Sequence, residues 1–188
     1  MEDLIEKVKQ FLGDGELFEH SVAVAKIAEA LAEKYGENTS KAFSAGILHD
    51  VGGIYPADKQ MAIAAEAGIV LLPEEEAYPV LLHQKISKFL ARWKFGFFND
   101  EILSAIECHT TLKAHFTQLD LIVFLADKLS WENAAYHAGM KEALRSSPEA
   151  AALFYMNFML EEGMPVVHPW FLEGKAALEE KLNTKKGE

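Results

Sequence analysis

The stretch Ala45-Gly46-Ile47-Leu48-His49-Asp50 is an apolar run that ends in an imidazole followed directly by a carboxylate. Asn38-Thr39-Ser40 precedes it and supplies side chains that cap helix N-termini, so we predict a helix that runs into His49 and Asp50. Adjacent residues on a helix point about 100° apart, and both side chains can therefore bind one ion only where the helix ends or the ion lies beside it. Imidazole with carboxylate suits iron, manganese, zinc or nickel rather than calcium.

The rest of the chain is also predicted to be helical. It holds 26 Ala but only 9 Val, 10 Ile and 5 Thr, and Ala is the strongest helix former. Apolar residues recur at helical spacing in 17–31, 80–95 and 121–129. No internal repeat and no linker rich in Gly, Ser or Pro divides the sequence. We therefore predict an all-α fold, a single domain of about eight or nine helices over residues 1–188, with C-terminal helices in 131–182 and a polar tail in 183–188.

Charge and composition exclude several classes of function. The 188 residues carry 18 Lys and Arg against 29 Asp and Glu, a net charge of −11, which argues against coating extended nucleic acid or docking on an anionic membrane. The first residues are acidic rather than those of a secretory signal, and no apolar run is long enough to span a membrane. Cys108 is the one cysteine, expected to be a buried thiol in a reducing compartment. These features predict a cytoplasmic protein.

Four more side chains that bind metals lie in or beside apolar helical stretches, namely His20, His83, His109 and Asp127. A single His-Asp pair is more often a helix cap or a surface pair than a metal site. Asp127 follows the apolar run Val123-Phe124-Leu125-Ala126, where an unpaired carboxylate would be costly to bury. Five predicted helices that each present such a side chain on or near an apolar face together indicate a metal centre.

The order of these residues resembles that of the HD-domain superfamily of metal-dependent phosphohydrolases, and more closely its YqeK-like branch of symmetrical diadenosine tetraphosphatases. The resemblance covers about residues 3–130 and is poor beyond them. It is carried by Glu19-His20-Ser21-Val22-Ala23-Val24-Ala25, Ala45-Gly46-Ile47-Leu48-His49-Asp50, Leu82-His83, Ile102-Leu103-Ser104-Ala105-Ile106-Glu107-Cys108-His109-Thr110-Thr111 and Phe124-Leu125-Ala126-Asp127.

The resemblance implies a compact helical fold with two divalent transition metal ions, iron in first place and Mn, Ni, Zn or Mg as alternatives. It also implies cleavage of diadenosine tetraphosphate to two ADP, with His49 and Asp50 as catalytic residues. We expect a hydroxide that bridges both ions to attack a central phosphorus. Asp50 would bridge the ions, and His83 with His109 would make the site dinuclear. The implied ligands are His20, His49, Asp50, His83, His109 and Asp127.

The sequence departs from the family where phosphate contacts are expected. Leu17 and Asn133 stand where members commonly have Arg, Gly53 stands at a commonly basic position, and Trp131 stands where Pro is common. Two other readings therefore stay open, another HD phosphohydrolase of nucleotides or phosphomonoesters and a non-catalytic sensor of metal or nucleotide. The expected partner is a small nucleotide, without nucleic acid or membrane, and a homodimer is possible.

Several polar residues are weaker candidates. Thr110, Thr111, Lys113 and Lys128 are candidate substrate contacts, although helix caps and solvated lysines are the commoner roles for such residues. The spacing of Lys85, Lys88 and Arg92 predicts a solvent-facing helix side. Three histidines match no motif position and are expected at the surface or at caps, namely His115, His137 and His168.

Overall fold

The structure is a computed structural model that describes residues 2–184. Within those residues it has eleven α-helices, two 3₁₀ segments and no β-strand, which confirms the all-α prediction. The helices are α1 (Glu2–Leu12), α2 (Glu16–Tyr35), α3 (Thr39–Leu48), α4 (Ala57–Glu66), α5 (Pro73–Ala77), α6 (His83–Trp93), α7 (Asp100–Glu107), α8 (Gln118–Leu129), α9 (His137–Ala143), α10 (Pro148–Glu162) and α11 (Pro169–Thr184), and the 3₁₀ segments are Val51–Ile54 and Pro79–Leu82.

The number of helices exceeds the eight or nine predicted. Helices α5 and α9 have only 5 and 7 residues, too few for a clear apolar period, and α1 was not anticipated. Helix α11 runs to Thr184 and so includes the first two residues of the predicted polar tail. The remainder of that tail, 185–188, lies outside the described residues.

Helix ends follow the capping signals of the sequence. The side chain of Asn38 accepts a hydrogen bond from the Lys41 amide at 2.9 Å and so begins α3. Thr117 and Asp120 form a capping box at the start of α8. Gly36 ends α2 in a left-handed conformation, with φ of 73°. These caps determine where α2 ends and where α3 and α8 begin, and His49 and Asp127 lie at the opposite ends of α3 and α8.

Helix α8 forms the centre of the core. Every residue from Leu119 to Leu129 is buried, and the helix packs against α2, α3, α7 and α10. A helix that is apolar all round is stable only inside a protein, which accounts for this central position. Asp127 lies in its last turn, so the central helix carries an acidic group into the core.

Helices α2 and α3 approach each other closely at Gly46. A Cβ atom added there would lie 2.7 Å from the Cα of Ala25, so the close packing of the two backbones requires glycine. This contact brings His20, on α2, beside His49, which directly follows α3. The glycine of the apolar stretch that precedes His49 and Asp50 thus helps to position the first of those two side chains.

One of the weaker expectations is wrong. Lys85 is buried rather than solvent-facing, because its Nζ lies 2.6 Å from an oxygen of the buried Glu75. His168 has one of its two expected places, because it directly precedes α11 and its Nδ1 accepts a hydrogen bond from the Trp170 amide as a helix cap does. It is nevertheless buried, and its Nε2 lies 3.4 Å from the other oxygen of Glu75. Helix periodicity alone cannot show that a lysine pairs with a buried carboxylate on another element. Cys108 is buried as expected, and burial raises the pKa of its thiol well above the ordinary value. No helix within residues 2–184 is both long and apolar enough to cross a membrane.

Candidate metal centre

Six side chains that could hold metal ions meet in one place, and each comes from a different local element or element end. His20 lies on α2, His49 directly after α3, and Asp50 precedes the 3₁₀ segment Val51–Ile54. His83 is the first residue of α6, His109 lies in the turn after α7, and Asp127 lies near the end of α8. The six residues predicted as ligands from the resemblance are therefore brought together by the fold, although they span more than a hundred positions of the chain.

The four imidazoles form a row from His20 through His49 and His109 to His83. Their ring centroids are 5.1, 4.7 and 4.9 Å apart along this row. The Nε2 atoms of His20 and His49 are 3.2 Å apart, and those of His83 and His109 are 3.0 Å apart. The same nitrogen of each ring therefore points into a shared space.

The two carboxylates flank this row. One oxygen of Asp127 lies 3.3 Å from Nε2 of His20 and 3.9 Å from Nε2 of His49. An oxygen of Asp50 lies 3.7 Å from Nε2 of His83. Asp50 also has a donor oxygen within 4.8 Å of the donor nitrogens of His20 and His49, so both carboxylates face the middle of the row rather than one end each.

Backbone carbonyls orient three of the rings in the same way. Nδ1 of His49, His83 and His109 donates to the carbonyl of the residue three positions earlier, at 2.7, 2.6 and 2.8 Å. A carbonyl oxygen only accepts, so the proton of each neutral ring must lie on Nδ1. The lone pair of Nε2 is then free and faces the shared space, which is the tautomer that binds a metal.

His20 is oriented by a hydroxyl instead. Ser130 donates its hydroxyl proton to the Asp127 carbonyl at 2.6 Å, so its oxygen can only accept from Nδ1 of His20, which lies 3.3 Å away. All four histidines therefore present Nε2 lone pairs. Ser130 was not identified from the sequence, because a serine after an apolar helix is ordinarily just a cap.

The donor set fits divalent transition metals. Unprotonated nitrogens 3.0 and 3.2 Å apart repel each other unless a cation lies near both, because neither can donate a hydrogen bond. Mixed imidazole and carboxylate donors suit Fe, Mn, Zn or Ni. Three overlapping groups have donor atoms within 4.8 Å of one another, namely His20 with His49 and Asp50, His49 with His109 and Asp127, and Asp50 with His83 and His109.

Burial keeps the central histidines neutral. It lowers the pKa of His49, and it lowers the pKa of His109 well below the ordinary value, an effect that the neighbouring His49 and His83 reinforce. Burial alone would raise the pKa of Asp127, but the charge of the neighbouring Lys128 holds it well below its usual range. His49 and His109 are therefore neutral and Asp127 is ionised, which are the forms that bind metal ions.

The four candidate substrate contacts have different surroundings. The hydroxyl of Thr110 lies 2.9 Å from Nε2 of His83, at the centre itself. Lys128 is buried, and its Nζ donates to Asp127 at 2.5 Å and to the His109 carbonyl at 3.1 Å. Thr111 is buried and donates to the Leu112 carbonyl, and Lys113 donates to Ser104. Lys128 thus binds the Asp127 side chain and the His109 backbone rather than extending into solvent.

The contacts of Gly53 explain why a glycine fits at this position. A Cβ atom added there would lie 2.9 Å from an oxygen of Asp50, so a side chain at this position would crowd the carboxylate. The glycine at this position therefore leaves room for the Asp50 carboxylate. Leu17 is half-buried on α2, and its carbonyl accepts a hydrogen bond from Ser21.

Two surface cavities adjoin the ends of the imidazole row. One, of about 340 Å³, is lined by Asp50 and His83 together with Gly53, Tyr55, Pro56, Ala57, Gln60 and Val80. The other, of about 430 Å³, is lined by Ala23, Ile27, Ser130, Trp131, Glu132 and Asn133. Two of its lining residues contact His20 at the other end of the row, since the Trp131 ring lies 4.7 Å from that of His20 and the Ser130 hydroxyl lies 3.3 Å from its Nδ1.

Comparisons with known proteins agree with this geometry. The chain is 28% identical over 178 residues, 91% of its length and 94% of the relative's, to a protein of Bacillus subtilis named bis(5'-nucleosyl)-tetraphosphatase, symmetrical. It is 51% identical over 77% of its length and 75% of the relative's to an uncharacterized protein in the pepC 5' region of Lactococcus lactis subsp. cremoris. A crystal structure from Clostridium acetobutylicum, titled a predicted HD superfamily hydrolase involved in NAD metabolism, superposes with a TM-score of 0.86 at 26% identity and covers 96% of this chain and 97% of its own.

The match to a protein family includes the whole candidate centre. Residues 17–132 match the family described as HD domain, a span that begins before His20 and ends after Asp127. HD domains bind divalent metals, and the fold and the donor set of this chain are those of a metal-dependent phosphohydrolase. The chain belongs to the HD domain family.

Proposed function

We propose that this protein hydrolyses diadenosine tetraphosphate symmetrically to two ADP. The observation that carries the proposal is the convergence of four Nε2 lone pairs and two carboxylates in one cluster. The similarity to the symmetrical tetraphosphatase of Bacillus subtilis, which extends over 91% of the chain, supports the choice of substrate.

The six side chains are proposed to hold two divalent ions, with iron as the first expectation. Groups that share His49, Asp50 and His109 support a dinuclear site, since shared residues are those that lie between neighbouring ions. Ions bound there would neutralise phosphate charge and lower the pKa of a water molecule. In the reaction, water adds to one central phosphorus, the anhydride P–O bond breaks, and each product keeps two phosphates.

The protein's own contribution is to hold the ligands in place. Three backbone carbonyls and Ser130 orient the four rings before any substrate arrives, so little reorganisation is needed. Lys128 holds the Asp127 carboxylate and keeps it ionised. Thr110 lies beside His83 and is the one candidate substrate contact whose hydroxyl is at the centre.

The two cavities support a substrate with a nucleoside at each end. One adjoins Asp50 and His83, and the other adjoins His20 through Trp131, so the row of histidines lies between them. Diadenosine tetraphosphate has two adenosines joined by four phosphates, and cleavage in the middle gives identical halves. A cluster flanked by a cavity at each end suits that symmetry.

A second candidate is hydrolysis of another nucleotide or phosphomonoester by the same centre. The observation in its favour is that Leu17, Gly53 and Asn133 stand where relatives commonly carry basic side chains. With fewer basic side chains, bound metals would supply more of the attraction for phosphate than in typical relatives. A non-catalytic sensor of metal or nucleotide would use the same six side chains without turnover.

The test is a product analysis with metal-loaded protein. Protein loaded with iron or manganese is incubated with diadenosine tetraphosphate, diadenosine triphosphate, ATP, a cyclic nucleotide and a phosphomonoester, and the products are separated by ion-exchange chromatography. We expect two ADP from diadenosine tetraphosphate, and one ¹⁸O atom per cleavage when the water is labelled. AMP with ATP would reject symmetrical cleavage, preferential turnover of another compound would favour the second candidate, and no turnover at all would favour the sensor.

A further inference from the structure

Trp131 is a large apolar side chain exposed at the edge of the candidate centre. Trp131 is 53% exposed and directly follows Ser130, the residue at the end of α8. The indole lies 4.7 Å from the His20 ring with an angle of 30° between the planes, so the two rings are partly stacked. An exposed indole beside a catalytic cluster is a common means of binding a flat ligand.

The cavity beside Trp131 suits a neutral group better than a phosphate. Two aliphatic residues, Ala23 and Ile27, line it from α2, and polar groups of Ser130 and Asn133 line it near the indole. Its one charged lining residue is Glu132, which would repel an anion. A flat heterocycle with hydrogen-bonding edges matches both the apolar wall and these polar groups.

We propose that Trp131 stacks on one nucleobase of the substrate and so positions the attached phosphates on the six-residue cluster. The identity of the nucleotide rests on the proposed function, but the stacking itself does not. His20 lies against the indole, and Nε2 of that histidine is 3.2 Å from Nε2 of His49. A base held beside Trp131 therefore lies next to the place where its phosphates would react.

Kinetics on diadenosine tetraphosphate test this role. Stacking of a base on an aromatic side chain contributes enough that Trp131→Ala should raise KM by about 5- to 150-fold. The kcat should change far less, because the residue binds the base and not the reacting phosphorus. Trp131→Phe should keep most of the affinity. The matched control is Trp93→Ala, which removes an indole that is 66% exposed at the end of α6.

A purely structural role for Trp131, as a cover over His20, makes a different prediction. Trp131→Ala would then lower metal content and kcat together and leave KM unchanged, a result that overturns the proposal. An unchanged KM with unchanged metal content overturns it as well. Metal content is measured by mass spectrometry on the purified variants, and circular dichroism verifies that each variant is folded.

Tryptophan fluorescence separates this inference from the proposed function. ADP should quench the fluorescence of the wild-type protein and of Trp93→Phe, and this quenching should be lost in Trp131→Phe. Tripolyphosphate, which has no base, should quench none of the three. If diadenosine tetraphosphate is not cleaved but ADP quenching depends on Trp131, the proposed function fails and the stacking stands. If cleavage occurs while quenching survives in Trp131→Phe, the stacking fails and the function stands.

Discussion

Two buried clusters of histidine and carboxylate lie near helix α6, and they differ in how their polar atoms are satisfied. The first is the candidate metal centre, which includes His83 at the start of the helix. The second joins Lys85, on the same helix, to Glu75 and His168, and all three side chains are buried. In both clusters, burial of polar groups away from water is therefore unfavourable in free energy unless those groups find partners.

The second cluster is closed. One oxygen of Glu75 accepts from Lys85 at 2.6 Å and from the Leu72 amide at 2.8 Å, and the other lies 3.4 Å from Nε2 of His168. Nδ1 of His168 accepts from the Trp170 amide at 3.1 Å. Each nitrogen and oxygen has a protein partner of the opposite kind, so this cluster needs nothing from outside.

The candidate metal centre is open, because some of its buried polar atoms lack a protein partner of the opposite kind. Its four Nδ1 atoms have protein acceptors, but its Nε2 atoms face one another as acceptors without enough donors. Residue types alone do not separate the two clusters, since each contains His and an acid. The direction of the lone pairs does separate them, because those of the candidate metal centre face a shared space and those of the second cluster are satisfied within the protein.

We expect the largest effect from a substitution that removes a carboxylate from the open cluster. Asp50→Ala should remove metal and activity together, and we expect activity to fall more than about 1,000-fold, because the substrate phosphates and the nucleophile both lose their electrostatic partner. The measurements are metal content and ADP formation on the same preparation. Asp58→Ala removes an exposed carboxylate on α4 and is the matched control. Full activity in Asp50→Ala protein without bound metal would refute the assignment.

The closed cluster should respond in stability rather than in metal content. Glu75→Gln leaves the Lys85 charge buried without its carboxylate, and removal of one partner of a buried pair costs about 3–5 kcal/mol. Urea unfolding of the metal-free protein gives the change in the free energy of unfolding. Glu76→Gln, at an exposed position on the same helix, should change it little. A Glu75→Gln variant with wild-type stability but less bound metal would contradict this assignment of a structural role to the second cluster.

The same carboxylate predicts a pH dependence. Burial alone would raise the pKa of Glu75, but the hydrogen bonds from His168 and Lys85 lower it below the ordinary 4.5. The unfolded chain then binds more protons in this window, so the stabilisation is present above about pH 4.5 and is lost as the pH falls through the lower folded pKa. Unfolding curves from pH 3 to 6 should show this loss in the wild type. In Glu75→Gln the slope attributable to this group should be absent, and equal slopes would contradict the account.

The sequence predicted the open cluster better than the closed one, for a physical reason. His49 and Asp50 end an apolar helix, and the other four side chains lie beside similar apolar stretches, so local pattern and family resemblance both marked them. Glu75 and His168 are 93 positions apart with no common motif, and only the folded chain brings them together. The spacing of Lys85 on α6 predicted a solvent face, because helical periodicity does not reveal an acid on another element.

Orientation of the ligands was also beyond the sequence. The donation from Nδ1 to a carbonyl three positions earlier depends on each histidine following a helical turn, which the sequence allowed at His49, His83 and His109 but did not require. Trp131 and Asn133 were identified only as departures from the family pattern. In the folded chain Trp131 lies beside the His20 ring. Trp131 and Asn133 line one cavity together with residues of α2, and the sequence pattern does not reveal that contact.

The smallest expected effect concerns how the open cluster is oriented. Ser130→Ala removes the hydroxyl that accepts from Nδ1 of His20, so the ring loses its preference for the tautomer with a free Nε2. Loss of such an outer partner typically weakens metal binding by about 10- to 100-fold, and we expect the lower end because only one of the four rings is affected. Competition with a chelator measures the affinity, and Ser146→Ala at an exposed position is the control. Since His49, His83 and His109 keep their carbonyl partners, the variant should retain metal at saturating concentration, and unchanged affinity would show that the hydroxyl only caps α8.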